Sequence, residues 1–168
     1  KFAAGQIVSY RRDDADVIVD MGGGYGGSTY EQLRANGIQA QAHKGAEKSS
    51  RRTLDGKHGF SNRRTEIAWR FREALDPSDP AQPSPIQLPD DPELIADLTS
   101  LIFFDDKGII ALEEKGELVK RLGRSTNKGD AVLMCWSCGP RYLSAGEFSR
   151  PEYPRLRPGQ RPQVVMGR

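Results

Sequence analysis

A chain of 168 residues with 36% apolar residues can bury one core, and a net charge of +2 is too small to attract nucleic acid by bulk charge. No apolar run approaches the roughly 20 residues that span a bilayer, so a membrane-helix class and a membrane partner are not expected. Arg11-Arg12-Asp13-Asp14 arrives before any signal-peptide core could form. In chain order, the apolar spacing of Phe2, Ala3, Ile7 and Val8 predicts a helix. Val17-Ile18-Val19-Asp20-Met21 is short and β-branched, and Gly22-Gly23-Gly24-Tyr25-Gly26-Gly27 follows, which predicts a buried strand and a sharp turn. Ser28 or Thr29 is the expected cap of a helix through Leu33, stopped by Asn36-Gly37, and Ile38 to Ala42 reads as a second strand. Helix–strand–helix–strand is a parallel-sheet pattern and predicts an α/β fold.

From His43 to Arg64 the chain is basic: Lys44, Lys48, Arg51, Arg52, Lys57, Arg63 and Arg64 alternate with Gly and Ser. Such a run is a solvated loop or a track for a phosphate backbone. Asn62 caps a predicted helix with Ile67, Ala68, Phe71 and Leu75 on one face. Asp76 to Pro85 reads as a turn or linker, and Asp91 or Asp90 starts a helix with Pro92 in its first turn. Leu101–Phe104 and Ile109–Leu112 flank Asp105-Asp106-Lys107-Gly108 and predict a hairpin. A helix is expected over Glu113–Leu122, ended by Gly123, and a last one from Asp130 to Cys138. Residues 140–168, rich in Pro, Arg and Gly, read as an extended or disordered tail. Cys135 and Cys138 form a lone C-x-x-C without the second half of a zinc site, and ordinary reduced thiols are expected.

Asp20 ends a central strand at a glycine turn, where open sheets keep their chemistry. Gly22, Gly24 and Gly27 satisfy G-x-G-x-x-G, so an NADP-type site with Lys44 or Arg51 on the 2′-phosphate is one reading. Against it, Asp20 would stand beside the pyrophosphate, and His43 and Lys44 occupy the place where NAD binding needs an acid. The other reading makes Asp20 a ligand of a hard divalent ion, in a phosphodiester-cleaving site that needs a second acid from a distant element. Asp130 is that candidate, although an acid at a helix start also serves the helix dipole.

Several segments together resemble a known family. Val17-Ile18-Val19-Asp20 with its turn, Asn62-Arg63-Arg64, Leu88-Pro89-Asp90-Asp91-Pro92-Glu93-Leu94, Glu114-Lys115, and Arg121-Leu122-Gly123-Arg124-Ser125 running on to Gly129-Asp130-Ala131 resemble the C-terminal nuclease domain of the large terminase subunit of tailed bacteriophages. The likeness runs from Phe2 to Trp136 with the motifs in the family's order. It implies a ribonuclease H-like mixed sheet flanked by helices over residues 1–139, and a metal-dependent endonuclease that cuts concatemeric double-stranded phage DNA. The family's second acid falls on Asp20 and its final acid on Asp130, with Mg²⁺ or Mn²⁺, two ions, as cofactor.

The family's Ser-Pro-Asp-x-x-Asp-Ala pattern is here Ser125-Thr126-Asn127-Lys128-Gly129-Asp130-Ala131, which makes Asn127 a neutral candidate ligand. Lys44, Lys48, Arg63, Arg64 and Arg124 are candidate phosphate contacts. The first acid and its N-terminal strands, and an ATPase motor, are expected upstream of Lys1, and this chain alone is expected to cleave weakly. The resemblance also implies the portal and the small terminase subunit as partners, and the host cytoplasm at the procapsid as the place. A non-catalytic DNA-binding or motor-docking module is the competing class.

Overall fold

The computed structural model describes residues 2–12, 14–76, 84 and 86–137. The expected tail, Cys138 and most of the stretch between Asp76 and Pro85 lie outside the described residues. Two small sheets carry the fold. The first is built from β1 (Val17–Asp20) and β2 (Ala40–His43), paired in parallel so that Val17 faces Ala40 and Asp20 faces His43. Helices α1 (Phe2–Tyr10) and α2 (Gly27–Ala35) cover it, and Ala4, Val19, Leu33 and Ile38 form their shared core.

The second sheet joins β3 (Gly59–Phe60), β4 (Phe103–Asp106) and β5 (Ile109–Leu112) in the order β3-β5-β4. β4 and β5 form a hairpin as expected, but β4 lies two residues later than the sequence reading because Asp105 and Asp106 still pair with Ile110 and Ile109, which shortens the turn. Its two-residue turn, Lys107 at φ 52° and Gly108 at φ 81°, has the left-handed geometry that matches strand twist. Against this sheet pack α3 (Arg63–Leu75), α4 (Pro92–Thr99) and α6 (Asn127–Ser137), with α5 (Lys115–Leu122) between β5 and α6. Ile67, Ala68, Phe71, Leu112 and Leu133 form the second core, and Trp136 meets Phe71 edge-on at 5.5 Å.

Three helix ends follow the expected chemistry. The Asn62 side chain accepts from the Thr65 N–H at 2.9 Å. Asp91 accepts from the Glu93 and Leu94 N–H groups, with Pro92 in the first turn. Gly123, at φ 70°, closes α5.

Other boundaries differ from the sequence reading. α2 starts at Gly27 on Gly26, and neither Ser28 nor Thr29 caps it. A Cβ at Gly26 would overlap the Asp20 carbonyl oxygen, so the chain presses there on the end of β1 and the helix must begin at once. Strand β2 starts at Ala40, because Ile38 is still buried under α2 and donates its N–H to the Leu33 carbonyl. Within the basic stretch, β3 appears where a plain loop was expected. α5 begins at Lys115, two residues later than expected, because β5 runs to Leu112 and the Glu113 N–H still bonds the Ile102 carbonyl.

α6 starts at Asn127, ahead of Asp130, because α4 reaches across to it. The buried Asp97 accepts the Gly129 N–H at 3.0 Å, and Gly129 lies so close that a Cβ would stand 2.8 Å from the Asp97 Cβ. A tertiary carboxylate thus satisfies the first turn of α6.

Candidate functional site

A cavity of about 400 Å³ opens between the two sheets, and both predicted acids line it. Asp20 comes from the end of β1, and Asp130 from the first turn of α6. His43, Gly45, Ala46, Arg64, Glu114 and Lys115 complete its wall, while Ile67, Leu112 and Leu133 form an apolar floor. Another cavity, of about 500 Å³, is walled by Phe71, Leu75, Leu98, Leu101 and Phe103 and brings no pair of acids together.

The two carboxylates are held differently. Asp20 is exposed, and its Oδ1 accepts the Gly22 N–H at 2.8 Å from the turn that follows it. That bond occupies a donor which a pyrophosphate would need, so the glycine run serves Asp20 and the dinucleotide reading loses its cradle. Asp130 is largely buried, with 19% of its side chain exposed. Its Oδ2 meets the Lys115 ammonium at 2.8 Å and accepts a longer bond from the Thr126 hydroxyl at 3.3 Å.

Two cationic or titratable groups sit with them. Burial is the main influence on His43 and lowers its pKa; Arg63 lowers it further, while Asp20, Asp130 and Glu47 oppose. The imidazole therefore senses both acids at once. Burial likewise lowers Arg64, against the charges of Asp130 and Glu113. Arg64 Nη1 donates to the Glu113 carbonyl at 2.8 Å, and its buried Nη2 has no hydrogen-bond partner among the described residues. A buried donor of this kind on a cavity wall is an anchor for an acceptor brought from outside.

The remaining sequence candidates scatter. Arg63 is exposed beside His43, outside the cavity wall. Lys44 is exposed and pairs with Glu47 at 3.7 Å, and Lys48 is exposed. Asn127 is not on the cavity wall: its side-chain oxygen turns back to the Ser125 hydroxyl at 2.8 Å. Arg124 is drawn into the protein by Asp97, whose carboxylate is fully buried, and also reaches Glu93 at 3.6 Å. Part of its charge is committed to that pair, and Arg124 does not line the cavity. Sequence reasoning had no role for Lys115 as the partner of Asp130, nor for His43 and Glu114 on the wall. The Glu114-Lys115 pair was visible as a motif, and the pairing of β1 with β2 puts His43 opposite Asp20.

No family model and no curated protein sequence matches this chain. Solved structures do. The nuclease domain of the large terminase subunit gp2 of bacterial virus Sf6 is similar at 23% identity and a TM-score of 0.57, over 80% of this chain and 69% of that one. A lysine-to-alanine mutant of the same domain with manganese gives 23% identity and a TM-score of 0.56, over 80% and 70%. The mutant with calcium gives 23% and 0.56, over 80% and 69%. This chain has the fold of a terminase nuclease domain. The α/β architecture with flanking helices expected from the sequence is therefore the one observed, with its strands divided between two small sheets. At this identity the likeness concerns the fold, and the chemistry must be argued from the cavity.

The donor set suits a hard divalent ion. Among the described residues no three of His, Cys, Asp and Glu stand together closely enough to hold an ion alone. Two carboxylates nonetheless suit Mg²⁺ or Mn²⁺, which keep several waters as ligands. Asp130 is paired with the Lys115 ammonium, with which an incoming ion would compete.

Proposed function

We propose that this chain is a metal-dependent endonuclease module of a phage DNA-packaging terminase, cutting concatemeric double-stranded DNA. The observation that carries the reading is the convergence of Asp20 and Asp130, from opposite ends of the described chain, on one cavity that also holds the unpartnered Arg64 nitrogen. Asp20 and Asp130 would hold Mg²⁺ or Mn²⁺, two ions in the reading favoured here. Bound ions supply an activated water and neutralise charge on the phosphodiester.

The chain's own residues do the rest. The Gly22 N–H orients the Asp20 carboxylate. Lys115 and the Thr126 hydroxyl orient that of Asp130. Arg64 Nη2 offers a donor to a phosphate oxygen, and Lys44, Lys48 and Arg63 extend positive charge outward from the cavity. In this role the partners are duplex DNA, the portal, the small terminase subunit and an ATPase motor, and the place is the host cytoplasm at the procapsid. Among the described residues no helix is long and apolar enough to cross a membrane.

The test combines calorimetric titration with Mn²⁺ and nicking of supercoiled plasmid. Asp20→Ala and Asp130→Ala should each weaken Mn²⁺ binding and lose any metal-dependent nicking. Mn²⁺ affinity that neither substitution lowers would overturn the reading.

A further inference from the structure

The most exposed large side chain that the site brings to its edge is an aromatic ring. Tyr25 is 89% exposed, and it sits in the turn that leaves Asp20. Backbone geometry and close approach ask for glycine at several positions of that turn. Gly23 at φ 64° and Gly24 at φ 80° take left-handed backbone, where a side chain is strained. A Cβ on Gly23 would lie 3.2 Å from the Tyr25 ring, and one on Gly26 would collide with the Asp20 carbonyl oxygen. The ring thus lies along Gly23 on a turn pinned to the end of β1, and Gly22 of the same turn lines the acid-bearing cavity.

A surface tyrosine needs no explanation by itself. One carried on a turn pressed against the end of β1, next to a carboxylate that would serve phosphodiester chemistry, is placed to stack on a base. We propose that Tyr25 stacks on a DNA base adjoining the cleaved phosphodiester. It would thereby direct cutting toward steps that unstack readily, such as pyrimidine–purine steps. The ring carries the interaction, because every base presents a π-face, and the phenol hydroxyl is dispensable. This inference rests on the nuclease reading and adds a determinant of where the cut falls.

The test measures binding, so it does not depend on cleavage. Fluorescence anisotropy compares a fully paired duplex with the same duplex carrying one unpaired base, without divalent ion and at two salt concentrations. Wild type should prefer the duplex with the unpaired base. Tyr25→Ala should lose that preference and bind it roughly tenfold more weakly, the size of one stacked base. Tyr25→Phe and Tyr25→Trp should keep it, and all four proteins should show the same thermal midpoint, since the ring is outside the core. The proposal is overturned if Tyr25→Ala keeps the preference, or if Tyr25→Phe loses as much as Tyr25→Ala. Salt-dependent duplex binding that is identical in all four proteins removes the stacking role and leaves the nuclease reading standing. Failure of wild type to bind either DNA removes both.

Discussion

The two acids of the cavity are mounted in opposite ways. Asp20 stands exposed at a strand end, steadied by one backbone N–H from a glycine turn. Asp130 is sunk in the first turn of a helix, with an ammonium and a hydroxyl on the same oxygen. The first half of the site is open to a cation. The second is already electrostatically satisfied, and an incoming ion must compete with Lys115 for it. A single site can therefore pair an acid that recruits with an acid that yields, and the two should respond differently to substitution.

The largest effect is expected from removing either acid. Asp20→Ala should cut Mn²⁺ affinity by roughly 100-fold and Asp130→Ala by roughly tenfold, because each removes an anionic ligand but that of Asp130 is already paired with Lys115. Equal affinity after either change would break the pairing. Next comes Arg124→Ala, which leaves the fully buried Asp97 charge without its partner and loosens the start of α6 below Asp130. A loss of about 2–3 kcal/mol is expected in urea unfolding, below the full cost of breaking a buried pair because Arg124 is itself part-exposed. No loss of stability would mean that the pair with Asp97 contributes little to the fold.

On the Asp20 side, Gly26→Ala forces a methyl group against the β1 carbonyl and should cost about 1–3 kcal/mol, with weakened Mn²⁺ binding. The same substitution at Gly5, which meets nothing within 4 Å and lies outside the cavity wall, is the control. Lys115→Ala should act in the other direction. Freed of its ammonium, Asp130 should take Mn²⁺ roughly tenfold more tightly, read by calorimetry. Unchanged affinity would mean that the ion pair does not compete. The smallest effect belongs to the basic segment. Removing the charges of Lys44, Lys48 and Arg52 should flatten the log-salt slope of duplex binding by about 0.9 for each phosphate that is no longer neutralised. An unaltered slope would make this segment a solvated loop.

Where local chemistry decides, the sequence was legible. The β-branched run before a glycine series marked β1 and Asp20, Asn62 and Asp91 announced their helices, and Gly123 its stop. The two-residue strand β3 was hidden because so short a run has no period, and its pairing partner, β5, lies far along the chain. The start of α6 was misplaced because its first turn is satisfied by Asp97 from another helix, and no local signal marks that. The site followed the same division. Asp20 and Asp130 were readable from position and motif, whereas the Lys115 ion pair, the unpartnered Arg64 nitrogen and the commitment of Arg124 to Asp97 exist only once distant segments meet.

Among the described residues the two sheets share no strand pairing. The start of α3 bridges them instead. The Arg63 and Arg64 N–H groups bond the carbonyls of Glu47 and Gly45, past the end of β2, while the Arg64 guanidinium bonds the Glu113 carbonyl, past the end of β5. The Thr65 hydroxyl, deeply buried, accepts the Leu112 N–H at 3.1 Å. Three consecutive residues therefore act as the pivot of a pair of callipers whose jaws are Asp20 and Asp130. The gap between the jaws is tied to this pivot, and stiffness at Arg63–Thr65 bears directly on how faithfully the two acids keep their spacing.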